Sequence, residues 1–408
     1  MRQNRLTLFI FAAMIGGIAF GYMYRNANPD EASLNSFASN ISILSDIFLR
    51  LVKMIIAPLV FSTLVVGVAK VGDMNTVGRI GIKSLAWFLF ASFISLFLGL
   101  VLVNLWHPGT VMHLPLPPEN ADSGIKAAGV TLKEFITHVF PKSIVEAMAH
   151  NEILQIVVFS LFFGIATAAI GEKGEPLIRG LDAVANVILK VTAYVMYFAP
   201  FAVFAAMAAV VAKQGLGVLI GYGIFIGEFY AAIFLLWAVL LFFGFLFVGK
   251  RIGSLISHIK DPILLAFSTA SSEAAFPKTL QQLERFGCKN KIVSFVLPLG
   301  YSFNLDGSMM YMTFATMFIA QSYGISLSIE QQISMLLMLM ITSKGIAGVP
   351  RASLVVIAGM LATFNIPEAG LLLLLGIDQI LDMGRSATNV IGNAVATVAV
   401  SKWEKDLD

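Results

Sequence analysis

The 408-residue chain is 58% hydrophobic and only 12% charged, with a mean hydropathy of +0.85, a balance that excludes a water-soluble globule. Its 27 basic and 24 acidic residues leave a net charge of +3, too small an excess to engage nucleic acid. The single cysteine, Cys288, cannot close a disulfide within the chain, and no Cys/His cluster has metal-ligand spacing, so no metal and no cofactor is expected.

The expected partner is the lipid bilayer, which a helix of about 20 apolar residues can cross. Runs free of Asp, Glu, Lys and Arg cover 6–24, 54–69, 84–118, 153–171, 191–212 and 229–249. The first is followed by Arg25 and Asn26 in place of a small-residue cleavage site, and is read as a retained helix. Pro58 and Pro200 are read as kinks. Arg2, Arg5, Lys70, Arg79 and Lys83, then Lys250, Arg251, Lys260 and the basic residues from Lys278 to Lys291, mark cytoplasmic loops by the bias of Lys and Arg. The Pro- and Gly-containing stretch 107–133 then falls outside. Lys402-Trp403-Glu404-Lys405 reads as an interfacial anchor, placing both termini in the cytoplasm.

Beyond residue 249 the pattern changes. Two segments, Ser268-Thr-Ala-Ser-Ser-Glu273 ending at Pro277 and Thr342-Ser-Lys-Gly-Ile-Ala-Gly-Val-Pro350, place Ser/Gly tips between short apolar arms. Backbone that leaves the helix inside a bilayer must be buried in protein or line a wet cavity, so the tips predict paired re-entrant hairpins. Each is followed by a longer segment interrupted by polar residues, Asn304-Leu-Asp306-Gly-Ser308 in one case and Asp378 to Asn393 in the other. A repeated order of hairpin then broken helix points to a transport site near the membrane midplane.

The segment from Gly376 to Asn389 is the richest in chemistry. Helical spacing puts Asp378, Asp382, Arg385 and Asn389 on one face. Ionisable groups within a membrane segment mark substrate or ion pathways unless they serve only one another. A guanidinium fork suits a carboxylate and a carboxylate suits an ammonium, so Arg385 and Asp382 together suit an acidic amino acid. The alternative is that Asp382 and Arg385 simply neutralise each other to hold the bundle. For Asn304, Asp306 and Ser308 the readings are a cap on two half-helices or a set of oxygen ligands for a cation.

At these residues the chain resembles the dicarboxylate/amino acid:cation symporter family, the glutamate transporters and their bacterial relatives, over nearly its whole length. The motifs are Ser271-Ser272, Pro298 to Ser308, Gly345 to Pro350, and Asp382-Met-Gly-Arg385 with Asn389. The resemblance implies an all-α polytopic membrane protein of eight transmembrane helices and two re-entrant hairpins, with inverted repeats and an elevator mechanism. It also implies a homotrimer in a bacterial inner membrane. Helices 1 and 2 (1–75) and the loop with helices 4 and 5 (109–215) would form a scaffold. Helix 3 (76–108) and residues 216–408 would form the transport domain: helix 6, hairpin 1 at about 258–288, helix 7 at about 291–322, hairpin 2 at about 328–366 and helix 8 at about 369–403.

By the same resemblance, Arg385 binds the substrate side-chain carboxylate, Asp382 its amino group, and Asn389 with Ser272 its main-chain carboxylate. Ser271, Ser308 and Ser386 line the pocket, and Gly348 and Val349 belong to a gating second hairpin, 345–353. Sodium-driven members carry an aspartate where this chain has Asn393, leaving Gly300, Asn304 and Asn389 with neutral oxygens only. Lys344 and Ile346 stand near a second cation position, and only Ser92 remains of the helix 3 hydroxyls beside Asp306. The weakened oxygen sets point to proton coupling, with Glu273, Asp306, Asp378 or Asp382 as carrier. Glu273 has the alternative of an ion pair with Lys344 or Arg351. The expected function is proton-coupled import of L-glutamate or L-aspartate. Sodium-coupled transport of the same substrates, C4-dicarboxylate symport on the same fold and a passive anion channel are the rivals; no nucleophile and base constellation suggests an enzyme.

Overall fold

The computed structural model of the chain describes residues 3–28, 30–71, 74–111, 116, 139–215, 222–343, 352–375 and 377–407. No strand occurs among them, and one isolated antiparallel bridge joins Cys288 to Leu407. The first half holds α1 (Gln3–Ala27), α2 (Glu31–Val71), α3 (Met74–Trp106), α4 (Ile144–His150), α5 (Ile153–Ala169), α6 (Glu175–Val195) and α7 (Ala199–Gln214). The second holds α8 (Gly223–Val248), α9 (Ile252–Thr269), α10 (Ser272–Phe286), α11 (Asn290–Phe303), α12 (Asp306–Ser322), α13 (Ile329–Thr342), α14 (Ala352–Thr363) and α15 (Asp378–Trp403). Among the described residues five stretches are long and apolar enough to cross a membrane: Leu8–Ala27, Glu31–Ala69, Asn75–Val111, Gly171–Lys213 and Gly223–Thr269.

Packing sorts the helices into two groups. In the first, α1 lies on α7, and α2 lies on α5, α6 and α7. In the second, α15 is the hub: α8, α9, α10, α11 and α12 all rest on it, α3 covers α12, and α13 and α14 flank α12. The groups meet where α10 and α11 touch α2, where α11 touches α5, and where α9 touches α1 and α7. Burial follows this plan. Nearly all of α12 and most of α15 are inaccessible, although α15 carries Asp, Arg, Asn, Ser and Thr. Polar side chains at that depth must find partners inside the protein.

The first predicted hairpin is a helix pair. α9 ends at Ala270, in the left-handed region at φ 48°, and Ser271 then caps α10 by accepting from Ala274 N at 3.2 Å. It starts earlier than expected, at Ile252, directly after a 3-10 turn over Gly249–Arg251. Pro277 does not end the tip but lies inside α10. The tip of the second hairpin, including Lys344, Gly348, Val349 and Arg351, lies outside the described residues; its flanking helices are α13 and α14.

Several boundaries differ from the sequence reading. The run at 54–69 belongs to a helix that begins at Glu31; serines in the preceding stretch stay inside it with their hydroxyls bonded to carbonyls one turn earlier, Ser42 to Ser39 O and Ser45 to Ser42 O. The run at 191–212 is two helices. A 3-10 turn over Met196–Phe198 separates them and Pro200 stands in the first turn of α7, where its missing N–H costs nothing. The break expected around Asn304 is present, since α11 stops at Phe303 and α12 starts at Asp306. The corresponding break within Asp378 to Asn393 is absent: α15 is continuous through it, and the interruption precedes Asp378, where short turns over Glu368–Leu371 and Leu372–Leu375 replace the first turns of the expected helix 8.

Candidate functional site

Arg385 anchors the site. It projects from the middle of α15 and is only 2% exposed. Its Nη2 faces two carboxylates of its own helix, Asp378 Oδ1 at 3.1 Å and Asp382 Oδ1 at 3.0 Å. These are the i−7 and i−3 neighbours that helical spacing brings to one face. The guanidinium carbon stands 4.0 Å from the centre of the Tyr311 ring, and the Tyr311 hydroxyl donates to Asp378 Oδ1 at 3.1 Å. The stacking plane, the two acids and the helix backbone therefore fix the fork in one orientation. Its Nε and Nη1 make no hydrogen bond with the described residues. Asp378 is enclosed, with its side chain 6% exposed, whereas that of Asp382 is 37% exposed. Mutual neutralisation is thus real but incomplete: a single nitrogen serves both carboxylates, and two donors of a buried cation remain.

Asn389, one turn further along α15, is held by the start of α12. Its Oδ1 accepts from Gly307 N at 2.9 Å and Ser308 N at 3.4 Å, and its Nδ2 donates to Ser308 Oγ at 3.3 Å. It satisfies free N–H groups that every helix start leaves, so the residue predicted to bind substrate also joins the second half-helix to the hub. The approach is close because residue 307 is glycine; a Cβ there would lie 2.8 Å from Arg385 Cα and from Thr388 Cβ. Ser386 and Ser272 are buried nearby on α15 and α10, and Ser271 is occupied as the cap of α10.

A second polar cluster lies where α11 breaks. Asn304 and Asp306 are fully buried. Asp306 accepts from Asn304 Nδ2 at 3.0 Å and from Ser95 Oγ of α3 at 3.2 Å. Ser95 of helix 3, which the sequence reading did not name, thus stands beside Asp306; Ser92, expected there, lies one turn earlier and donates to Phe303 O at 3.4 Å. Asn393 lies against Gly300, where any side chain would collide with its Oδ1. Both side-chain atoms of Asn393, and Oδ1 of Asn304, make no hydrogen bond with the described residues. The structure thus gathers Gly300, Asn304, Asp306, Asn389 and Asn393 from three helices, a set of oxygens and amides that holds one carboxylate where two would favour a metal cation. No group of three or more His, Cys, Asp or Glu with metal-binding geometry occurs among the described residues.

Three supporting residues escaped the sequence reading. Tyr311 forms the floor under Arg385. On α8, Tyr230 Oη donates to Ile380 O at 2.6 Å and Trp237 Nε1 donates to Thr388 Oγ1 at 2.7 Å. Tyr230 and Trp237 are seven residues apart in a mostly apolar helix that also carries Glu228, and that spacing of polar-tipped aromatics was the available signal. At the far end of α15, Trp403 packs edge-on against Trp87 and Phe247. Glu404 pairs with Arg79 at 2.8 Å and Lys83 at 2.6 Å, and Asp406 with Lys289 at 2.9 Å and Lys291 at 2.6 Å. The segment read as an interfacial anchor is folded back onto α3, α8 and α11.

Comparison with known proteins identifies the family. A family model described as the sodium:dicarboxylate symporter family matches residues 6–403. The chain is 43% identical to a proton/sodium-glutamate symport protein of Geobacillus stearothermophilus, over 99% of this chain and 96% of that protein. It is 38% identical to the protein of the same description from Bacillus subtilis, over 97% and 92%. It is also 40% identical to a C4-dicarboxylate transport protein of Rhizobium johnstonii, over 99% and 90%.

Proposed function

The chain belongs to the sodium:dicarboxylate symporter family, transporters and not enzymes, and from that premise we propose that it imports L-glutamate or L-aspartate together with protons. The observation that carries this reading is the buried Arg385 fork with Nε and Nη1 uncommitted, beside a partly open Asp382 carboxylate. The fork suits the side-chain carboxylate of an acidic substrate, and Asp382 suits its ammonium group. Asn389 and Ser272 would take the main-chain carboxylate, with Ser271, Ser308 and Ser386 around it and Gly348 and Val349 of the second hairpin closing above.

Proton coupling is supported by the Asn304, Asp306 and Asn393 cluster, which has one carboxylate and whose acid is already bonded to Asn304 and Ser95. Two groups of helices with separate packing suit an elevator in which α1, α2 and α4 to α7 form the scaffold and α3 with α8 to α15 moves. A homotrimer of such units, in an inner membrane with both termini cytoplasmic, fits the same reading.

The second reading is C4-dicarboxylate symport, favoured by the relatives described that way. Asp382 separates the two, because a substrate without an amino group has no use for an acid there. The test is uptake of labelled glutamate, aspartate and succinate into proteoliposomes under separately imposed proton and sodium gradients. Glutamate or aspartate driven by an inside-alkaline gradient, with D382N impairing it more than any succinate uptake, is the expected result. Uptake driven by sodium alone, or succinate preferred with D382N indifferent, rejects the proposal.

A further inference from the structure

One side of the charged stretch of α15 is held by the start of α12, where Asn389 accepts from Gly307 N and Ser308 N and where Gly307 lies against Arg385 Cα. Another side is held by α8. Along α15, Ile380, Gly384 and Thr388 recur at every fourth residue and form a stripe of their own. Gly384 directly precedes Arg385 and Thr388 directly precedes Asn389. The angle at which this stripe is held therefore sets the angle of the charged face beside it.

α8 grips the stripe at both ends. Tyr230 Oη donates to Ile380 O at 2.6 Å and Trp237 Nε1 donates to Thr388 Oγ1 at 2.7 Å, while Thr388 Oγ1 donates in turn to Gly384 O at 2.8 Å. Between the two grips Gly384 lies under the Tyr230 ring, where a Cβ would stand 3.0 Å from Cε1 and 3.2 Å from Cζ. Phe267, two residues before the end of α9 and close to the first hairpin tip, packs edge-on against the same ring at 6.5 Å. Every fully buried residue of α8 itself is apolar. Apolar side chains within lipid fix the rotation of a helix only through shape, whereas a hydrogen bond between helices is directional.

We propose that Trp237 and Tyr230 are positioning residues of the substrate site: they fix the rotation of α15 about its axis and so aim the Arg385 fork and the Asp382 carboxylate at the substrate. This deepens the acidic-substrate reading and rests on it. Arg385 meets two carboxylates through one nitrogen and lies on the Tyr311 ring, with Nε and Nη1 uncommitted. A small turn of α15 would swing that free edge out of line, and a carboxylate pairs with a guanidinium best when two N–H groups face it together. Trp237 and Tyr230 act through the helix and not by touching the substrate, and Thr388 is the acceptor through which the Trp237 grip is made.

The experiment is calorimetric titration of the full-length, detergent-solubilised protein with aspartate and glutamate, with the thermal midpoint measured on the same samples. W237F, which keeps an aromatic ring and loses the N–H, and Y230F, which loses only the hydroxyl, should each weaken binding by about tenfold. T388V, which keeps the volume and loses the acceptor, should match W237F, and the double variant W237F/T388V should be no weaker than either alone, because both remove the same bond. In an R385K background W237F should weaken binding by less than about twofold more, since the fork it aims is already gone. Unchanged binding in W237F or Y230F with only the midpoint lowered, or a W237F loss undiminished in the R385K background, overturns the assignment and leaves the bonds structural. Wild type that binds succinate and neither amino acid defeats the functional reading instead; the same set of variants titrated with succinate then decides the positioning role, since the fork serves a carboxylate in either substrate.

Discussion

At the scale of single residues, the chemistry rests on a cation that its own helix neutralises only in part. Arg385 shares one nitrogen between Asp378 and Asp382 and lies flat on Tyr311. Replacing it by Lys keeps the charge but removes the planar fork and the stacking. R385K should therefore weaken acidic-substrate binding by about 100-fold, the loss of roughly 3 kcal/mol of charge-assisted hydrogen bonding. Calorimetric titration of the purified protein with aspartate measures it, and unchanged affinity would reject the assignment of the fork. Arg385→Ala is the poorer probe, because it strands two buried acids and destabilises the fold as well. The fork, Asp382 and Asn389 were legible because a fixed helical period puts them on one face. Tyr311 was not, because its contact with Arg385 is made across two helices.

At the scale of elements, close approach decides which helices pair. Gly17 and Gly21, four residues apart on α1, face α7 so tightly that a Cβ on Gly21 would stand 2.5 Å from Ala208 O and 3.1 Å from Val211 Cβ. Small residues at that spacing let two backbones meet where apolar burial gives no drive within lipid. Arg25 closes the same pair by donating to Ala212 O at 2.8 Å and Lys213 O at 2.9 Å, satisfying carbonyls at the end of α7. G21V should cost about 2 kcal/mol by overpacking and lower the thermal midpoint of the detergent-solubilised protein. A midpoint equal to wild type would show that α1 and α7 do not depend on this contact. The Gly-x-x-x-Gly pattern is visible in the sequence, but nothing in it says that α7, six helices later, is the partner.

At the scale of the molecule, the last residues tie the hub to its neighbours. Glu404 lies between Arg79 and Lys83, and hydrogen bonds from Arg79 first, then from Lys83, hold its carboxyl below the usual glutamate range. A carboxyl lowered in the folded state adds stability that is complete above its unfolded value of about 4.3 and is lost as pH falls through the lower folded value. The unfolding midpoint followed by tryptophan fluorescence should therefore drop on acidification below about pH 4, with Trp87 and Trp403 beside the contact as reporters. E404Q should show a smaller acid-dependent drop and a lower midpoint at neutral pH. An identical pH profile in wild type and variant would show that the tie contributes nothing, as many exposed ion pairs do.

Composition and the apolar runs determined by themselves that this is a membrane protein, since a chain this poor in charge has no stable arrangement in water. Local periodicity determined the tip of the first hairpin, the break at Asn304 and the charged face of α15, because each depends on residues within a few turns of one another. What only the tertiary structure decided were the meetings of distant residues: Ser95 with Asp306, and Asn389 with the start of α12. Those contacts join residues separated by 211 and 82 positions of chain. Helix packing, and not the sequence period of either partner, brings them together.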